Sequence, residues 1–275
     1  LAGGGALLGH LREFRRDPLG LALRAAHDAG DVARVRIGPT TVLFVSNPDA
    51  IKRVLVDNFR NYDKQTRGYK ALRSLLGNGL VTSEGDFWKK QRRIAQPAFQ
   101  RRRIEALGGV MQAAASDMVD EWASFGDREE INVADAMMRL TLRIAGETLF
   151  GIDLADASKS IGGDVDQLLT YFRYLFFSAV PGMQYLPTPT NMRGRQAVRR
   201  LEQMVMGIIA ERRAGPGDEL DLLGMFMSSV DSESGDSMSD RQLRDEVLTM
   251  LTAGHETTAN AMAWTLYLLS RHPDV

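Results

Sequence analysis

Ala253-Gly254-His255-Glu256-Thr257-Thr258 stands in the middle of a run, 247–269, that is apolar on nearly every side. A run of that length and polarity predicts a helix buried through a large helical domain. The six residues interrupt it against both propensity and burial. Glycine in a helix interior costs about 1 kcal/mol relative to alanine, and a buried carboxylate costs more unless it is paired. Thr257 sits four residues after Ala253, so its hydroxyl can return to the Ala253 carbonyl and loosen the backbone ladder there. Small residues at 253 and 254 leave room for a flat ligand, and an acid beside a hydroxyl suits proton delivery to a buried reactive centre. Close packing of a neighbouring helix on Ala253 and Gly254 explains the small residues equally well, and only the added Glu256 favours chemistry. His255 points away from this face and is expected to be a satisfied polar residue.

Working outward, Ser239-x-x-Gln242 reads as a capping box that starts this helix, with Asp240, Asp245 and Glu246 favouring its positive end. Arg271-His272-Pro273 reads as its stop. Upstream, the chain is predicted mainly α with a small N-terminal β-hairpin. Strands are expected at 32–37 and 41–45 around Gly38-Pro39, followed by a short helix from Asn47-Pro48 to Val56. Further helices are expected from a Ser83 cap to Pro97, at 103–125, at 133–150 with Gly151 as left-handed cap, and at 165–179. In the 103–125 helix, Leu107, Val110, Met111, Ala114, Met118, Val119 and Trp122 share a face. Pro181, Pro187 and Pro189 should interrupt regular structure, a long charged helix should cover 193–213, and Gly215-Pro216-Gly217 should break the chain before a short helix at 219–228. The reading is one incomplete domain, with a β-containing part over 1–62 and a helical part over 63–275.

Composition excludes several classes. The 275 residues are 44% hydrophobic and 25% charged, with 34 basic and 35 acidic side chains, which is ordinary for a globular chain and gives no bulk attraction to nucleic acid. There is no cysteine, so no disulfide, thiolate nucleophile or thiolate metal ligand can come from these residues. His255-Glu256 begins like a zincin motif, but Ala259 stands where the second histidine is needed, so no metal site is predicted. No apolar run is long enough to span a bilayer.

A second constellation is Trp88-Lys89-Lys90-Gln91-Arg92. Trp88 and Arg92 lie one helical turn apart; indole and guanidinium are both donors without acceptors, a combination suited to an anionic group. The same pattern is also what an aromatic anchor beside a solvated basic face would show. Lys89, Lys90, Arg92, Arg93 and Arg101 to Arg103 make a dense basic cluster with no recognisable nucleic-acid motif; an acidic protein partner suits it as well.

Taken together, Ala253-Gly254-x-Glu256-Thr257-Thr258 in the last helix and Trp88-x-x-x-Arg92 in an earlier one resemble the cytochrome P-450 family of haem-thiolate monooxygenases. Gly77-Asn78-Gly79-Leu80-Val81-Thr82-Ser83 before the tryptophan helix and Arg271-His272-Pro273 after the last one strengthen the resemblance. It implies that Trp88 and Arg92, with Lys70 as a further candidate, bind the propionates of haem b. Ala253 and Gly254 would lie against the distal haem face, Glu256 and Thr257 would deliver protons for the cleavage of O2, and Val81 would sit near a lipophilic substrate. An acidic ferredoxin, flavodoxin or flavoprotein would dock on the basic face that includes Lys89, Lys90 and Arg93, and the location would be cytoplasmic.

The chain departs from the family pattern at one point. The family's Glu-x-x-Arg helix and cysteine loop should follow the last helix and are absent; Glu13-Phe14-Arg15-Arg16 matches the first by letter but at the wrong end. The chain therefore reads as the front part of such an enzyme, without the thiolate ligand and inactive alone. The alternatives are a helical binding module built on the same architecture and, on the basic cluster alone, a DNA-binding helical protein.

Overall fold

The computed structural model describes residues 1, 3–126, 129–151, 158–178, 182–215 and 221–275. The fold is mostly helical with one two-stranded antiparallel sheet, as the sequence predicts. It divides into two units, Leu1–Thr66 with Phe176–Met183, and Arg67–Leu175 with Gln184–Val275. The division falls four residues beyond the expected end of the β-containing part, and the distant segment Phe176–Met183 joins the first unit.

In the first unit α1 (Leu11–Arg16) and α2 (Pro18–Ala29) precede β1 (Val32–Ile37) and β2 (Thr40–Val45). The strands pair Ala33 with Phe44 and Val35 with Val42, so period-two alternation turns Ala33 and Val35 onto Leu21 and Ala25 of α2. Phe14 adds an aromatic contact, 5.3 Å between ring centroids, with Phe177. The Asn47 side chain accepts the Ala50 amide at 3.0 Å and so caps α3 (Pro48–Lys52), as expected; the chain continues through a wider turn at Arg53–Asp57.

The second unit holds α4 (Arg67–Leu76), α5 (Gly85–Ala95), α6 (Arg101–Ala123), α7 (Val133–Phe150), α8 (Ser158–Phe176), α9 (Pro189–Ala214), α10 (Leu222–Ser228) and α11 (Asp240–Arg271). Its main core joins Phe150 of α7, Leu201, Val205 and Ile209 of α9, Leu223 and Phe226 of α10 and Leu243, Val247, Leu248 and Leu251 of α11. A smaller cluster sets Ala259 of α11 against Met137 and Leu140 of α7 and Ala114 of α6. Among the described residues no helix is long and apolar enough to cross a membrane.

Local signals are realised closely. Ser239 and Gln242 form the reciprocal capping box of α11, and Gly151 takes the left-handed conformation, φ 65°, at the end of α7. Several expectations need correction. Ser83 does not cap α5; its amide turns back to the Gly79 carbonyl at 2.8 Å, and the chain enters the helix from Glu84 without a side-chain cap. Pro189 does not interrupt structure but starts α9, capped by Thr188, because a first-turn proline forfeits no helical bond. On α6 the apolar face is narrower than its sequence suggests: Ala114 is buried with Met118 and Trp122 on it, whereas Met111 and Val119 are exposed. Pro181, Gly217 and Glu219 lie outside the described residues.

The largest correction concerns α11 itself. Its first half is buried, but Ala253, Gly254, Thr257 and Thr258 are exposed, and Trp264 further on is 65% exposed. The helices that pack on α11 are chiefly α7 and α9, and these four residues stay exposed on its other side. An apolar helix is buried only where partners exist on each of its faces.

Candidate functional site

All the sequence-predicted site residues belong to the second unit. On α11, Thr257 donates its hydroxyl to the Ala253 carbonyl at 2.7 Å, as its spacing predicts, and Thr258 does the same to Gly254 at 2.8 Å. The helix stays regular through these bonds, so the expected loosening does not open a bulge. A methyl group built on Gly254 would meet nothing within 4 Å, so residues 253 and 254 present a shallow open strip.

Glu256 stands beside that strip, half-buried. Burial pushes its carboxyl above the ordinary range, and the negative charge of Asp166 on α8 adds to this while Arg173 opposes it. A carboxyl held protonated to higher pH is a proton donor. His255 is buried on the opposite side. Burial lowers its pKa, against the influence of Asp166 and of a bond to the Met138 backbone on α7. Its Nδ1 has no partner, so the expectation of a satisfied histidine fails at that atom.

On α5 the Arg92 guanidinium lies 5.8 Å from the Trp88 ring centroid, in cation–π range, with Arg92 exposed and Trp88 half-buried. Lys70, on α4, is exposed. The basic cluster is largely consumed within the chain. Lys89 pairs with Asp86 at 2.8 Å, Lys90 with Asp236, and Arg93 grips Asp231 through two nitrogens at 2.8 and 3.1 Å. Asp231, only 1% exposed, has its carboxyl held far below the usual range by Arg93, with help from Ser234. Lys90 and Arg93 therefore fasten α5 to the 231–236 turn, a long-range pairing that a local reading of charge cannot reveal.

Two residues of the site's framework were missed as such in the sequence. Asp245 and Glu246, taken there only for helix-dipole partners, accept the backbone amides of Asn78 at 2.7 Å and Leu80 at 2.9 Å. The segment that leads into the tryptophan helix is thus held on the head of α11. The available signal was the glycine pair around Asn78, which marks a close backbone approach.

A long helix bearing a small strip, an acid and a hydroxyl is thus joined through one loop to a helix bearing a tryptophan–arginine donor pair. The chain belongs to the cytochrome P-450 family, which matches it over residues 3–275. It is 34% identical to cyclooctatin synthase of Streptomyces melanosporofaciens over 274 residues, covering 98% of this chain and 58% of that protein. It is 36% identical to cyclooctat-9-en-7-ol 5-monooxygenase of the same organism over 98% of this chain and 58% of that protein. Pentalenene oxygenase of Streptomyces avermitilis is 32% identical over 98% of this chain and 59% of its own length. The chain therefore spans under three fifths of each of these relatives.

Proposed function

We propose that this chain supplies the propionate-binding and proton-delivering part of a haem monooxygenase that inserts one oxygen atom from O2 into a lipophilic substrate. The observation that carries the reading is the open strip of α11 with half-buried, proton-retaining Glu256 beside it. The residues fit haem on two counts: the strip accepts a flat macrocycle, and the Trp88–Arg92 pair offers donors to a propionate. They do not fit on a third, because none of the 275 residues is a cysteine, so the thiolate that holds iron is not among them. When bound, haem supplies the redox chemistry on oxygen. The chain's own part is narrower. Arg92 and Trp88 orient the propionates, Ala253 and Gly254 permit close approach, and Glu256 holds a proton. Thr257, now turned onto the Ala253 carbonyl, must rotate away from it to pass that proton on.

Three outcomes test this. In haemin titrations followed by absorbance, Trp88→Phe and Arg92→Ala should each weaken binding roughly tenfold, the loss of one charge-assisted bond. In the holoenzyme Glu256→Gln should lower turnover about a hundredfold, and turnover of the unaltered enzyme should fall as pH rises through the Glu256 pKa, a limb the variant lacks. The reduced chain alone, treated with carbon monoxide, should lack the thiolate-ligated Soret band, and its appearance would overturn the expectation that these residues are inactive by themselves.

Substrate and partner follow from weaker supports. Two relatives bear names that denote an alkene, pentalenene, and an alkenol, cyclooctat-9-en-7-ol, which suits a lipophilic substrate here. An acidic electron donor is proposed at the basic face of α5 and α6. Because Lys89, Lys90 and Arg93 are already ion-paired, its attraction rests on exposed Arg102 and Arg103, which carry no ion pair among the described residues.

A further inference from the structure

The loop between α4 and α5 carries no ionisable side chain from Gly77 to Ser83, yet it is held by some of the most deeply buried carboxylates in the second unit. Asp245 Oδ2 accepts the Asn78 amide and Glu246 Oε2 the Leu80 amide, two residues on. The loop backbone lies flat on the helix. A methyl group on Gly77 would stand 2.1 Å from Asp245 Oδ1, and one on Gly79 would stand 2.3 Å from Thr249 Oγ1. The loop is also closed on itself, since the Thr82 hydroxyl donates to the Gly77 carbonyl at 2.7 Å and Arg73 donates to the Thr82 carbonyl. Glu246 is 1% exposed and its Oε1 has no partner, an arrangement costly for a carboxylate and tolerable for a neutral carboxyl.

We propose that Asp245 and Glu246 form a carboxyl clasp that grips the 77–80 backbone and thereby positions the Trp88–Arg92 helix on α11, in register with the Ala253–Thr258 segment. Both are positioning residues. Glu246 and Ala253 lie two helical turns, roughly 10 Å, apart along one rigid axis, and Trp88 follows Leu80 by eight residues, so the clasp links the two halves of the site by its shortest route. The proposal rests on the haem reading above.

Protonation makes the clasp testable. Burial, chiefly, pushes the Glu246 carboxyl up to about 7, with Asp245 adding to the rise and the Leu80 amide opposing it. Of the other charges on the elements that meet the loop, Arg244 is shared between Glu202 of α9 and Asp245, Arg73 lies on the Thr82 carbonyl, Asp240 pairs with Arg213, and Arg67, Lys70 and Arg241 are exposed. On α5, Lys89, Lys90 and Arg93 are turned to Asp86 and the 231–236 turn, and Arg92 lies exposed over the Trp88 ring. Opening the loop returns Glu246 to water and to its ordinary pKa, so below about 7 opening releases a proton and becomes easier as pH rises.

Amide hydrogen exchange of the intact protein, corrected for intrinsic rates, should therefore show protection of residues 78–83 falling roughly tenfold per pH unit between about 5 and 7, then levelling. Glu246→Gln should retain protection and lose the pH dependence. Glu246→Ala should lower protection of 78–83 and the first turns of α5 at least tenfold, leave α9 unchanged, and weaken haemin binding, which Glu246→Gln restores. Protection independent of pH, or Glu246→Ala binding haemin normally while Trp88→Phe and Arg92→Ala do not, overturns the clasp. Normal haemin binding in Trp88→Phe and Arg92→Ala instead overturns the reading on which it rests.

Discussion

Gly77→Ala should destabilise the protein by about 3 kcal/mol, read as a lower urea midpoint with an unchanged slope. Gly77 has φ 79°, a conformation that costs a side chain roughly 1–2 kcal/mol. The added methyl would also stand 2.1 Å from Asp245 Oδ1 and 2.3 Å from its carboxyl carbon. That carboxylate cannot simply swing aside, because it accepts the Asn78 amide at 2.7 Å; displacing it forfeits a charge-assisted bond of roughly 1.5–3 kcal/mol. Gly85 supplies the control. It too has positive φ, 62°, but a methyl there meets nothing within 4 Å, so Gly85→Ala should lose only the conformational part, about 1 kcal/mol. In an Asp245→Ala background the cost of Gly77→Ala should fall to the same value, since the clash and the bond are then both gone.

The clasp shows which parts of this fold could be read from sequence. The hairpin, the capping box at Ser239 and the left-handed stop at Gly151 are local: each is specified by residues within a turn of one another, and each was legible. The Thr257 bond to Ala253 was legible for the same reason. What lay beyond reach were pairings set by packing. Asp245 and Glu246 look like ordinary helix-head acids until the loop 166 residues earlier in the chain is laid across them. Lys90 and Arg93 look like a docking face until Asp236 and Asp231 close on them. Burial of α11 was over-read because composition measures what a helix could bury, whereas exposure depends on which neighbours are there.

Arg212→Ala should cost about 3 kcal/mol, the loss typical when one partner of a largely buried ion pair is removed. Arg212 ends α9 within the charged run Glu211-Arg212-Arg213, and in sequence nothing separates it from Arg213. In the fold it joins three helices. It donates to the Phe150 carbonyl at the end of α7 at 2.7 Å and pairs at 2.6 Å with Asp221, whose side chain in turn caps α10 through the Gly224 amide at 2.7 Å. Phe150 itself is fully buried against the main core. Truncation leaves Asp221 buried beside an unanswered carbonyl, at the start of a helix only seven residues long. Arg213, exposed and paired with Asp240, is the comparison: its replacement by alanine should change stability by well under 1 kcal/mol. Arg212→Lys should recover much of the loss, since both bonds come from one guanidinium nitrogen and an ammonium brought to that place has donors for both acceptors. Equal effects at 212 and 213 in urea unfolding would mean that the three-helix junction contributes nothing beyond surface charge.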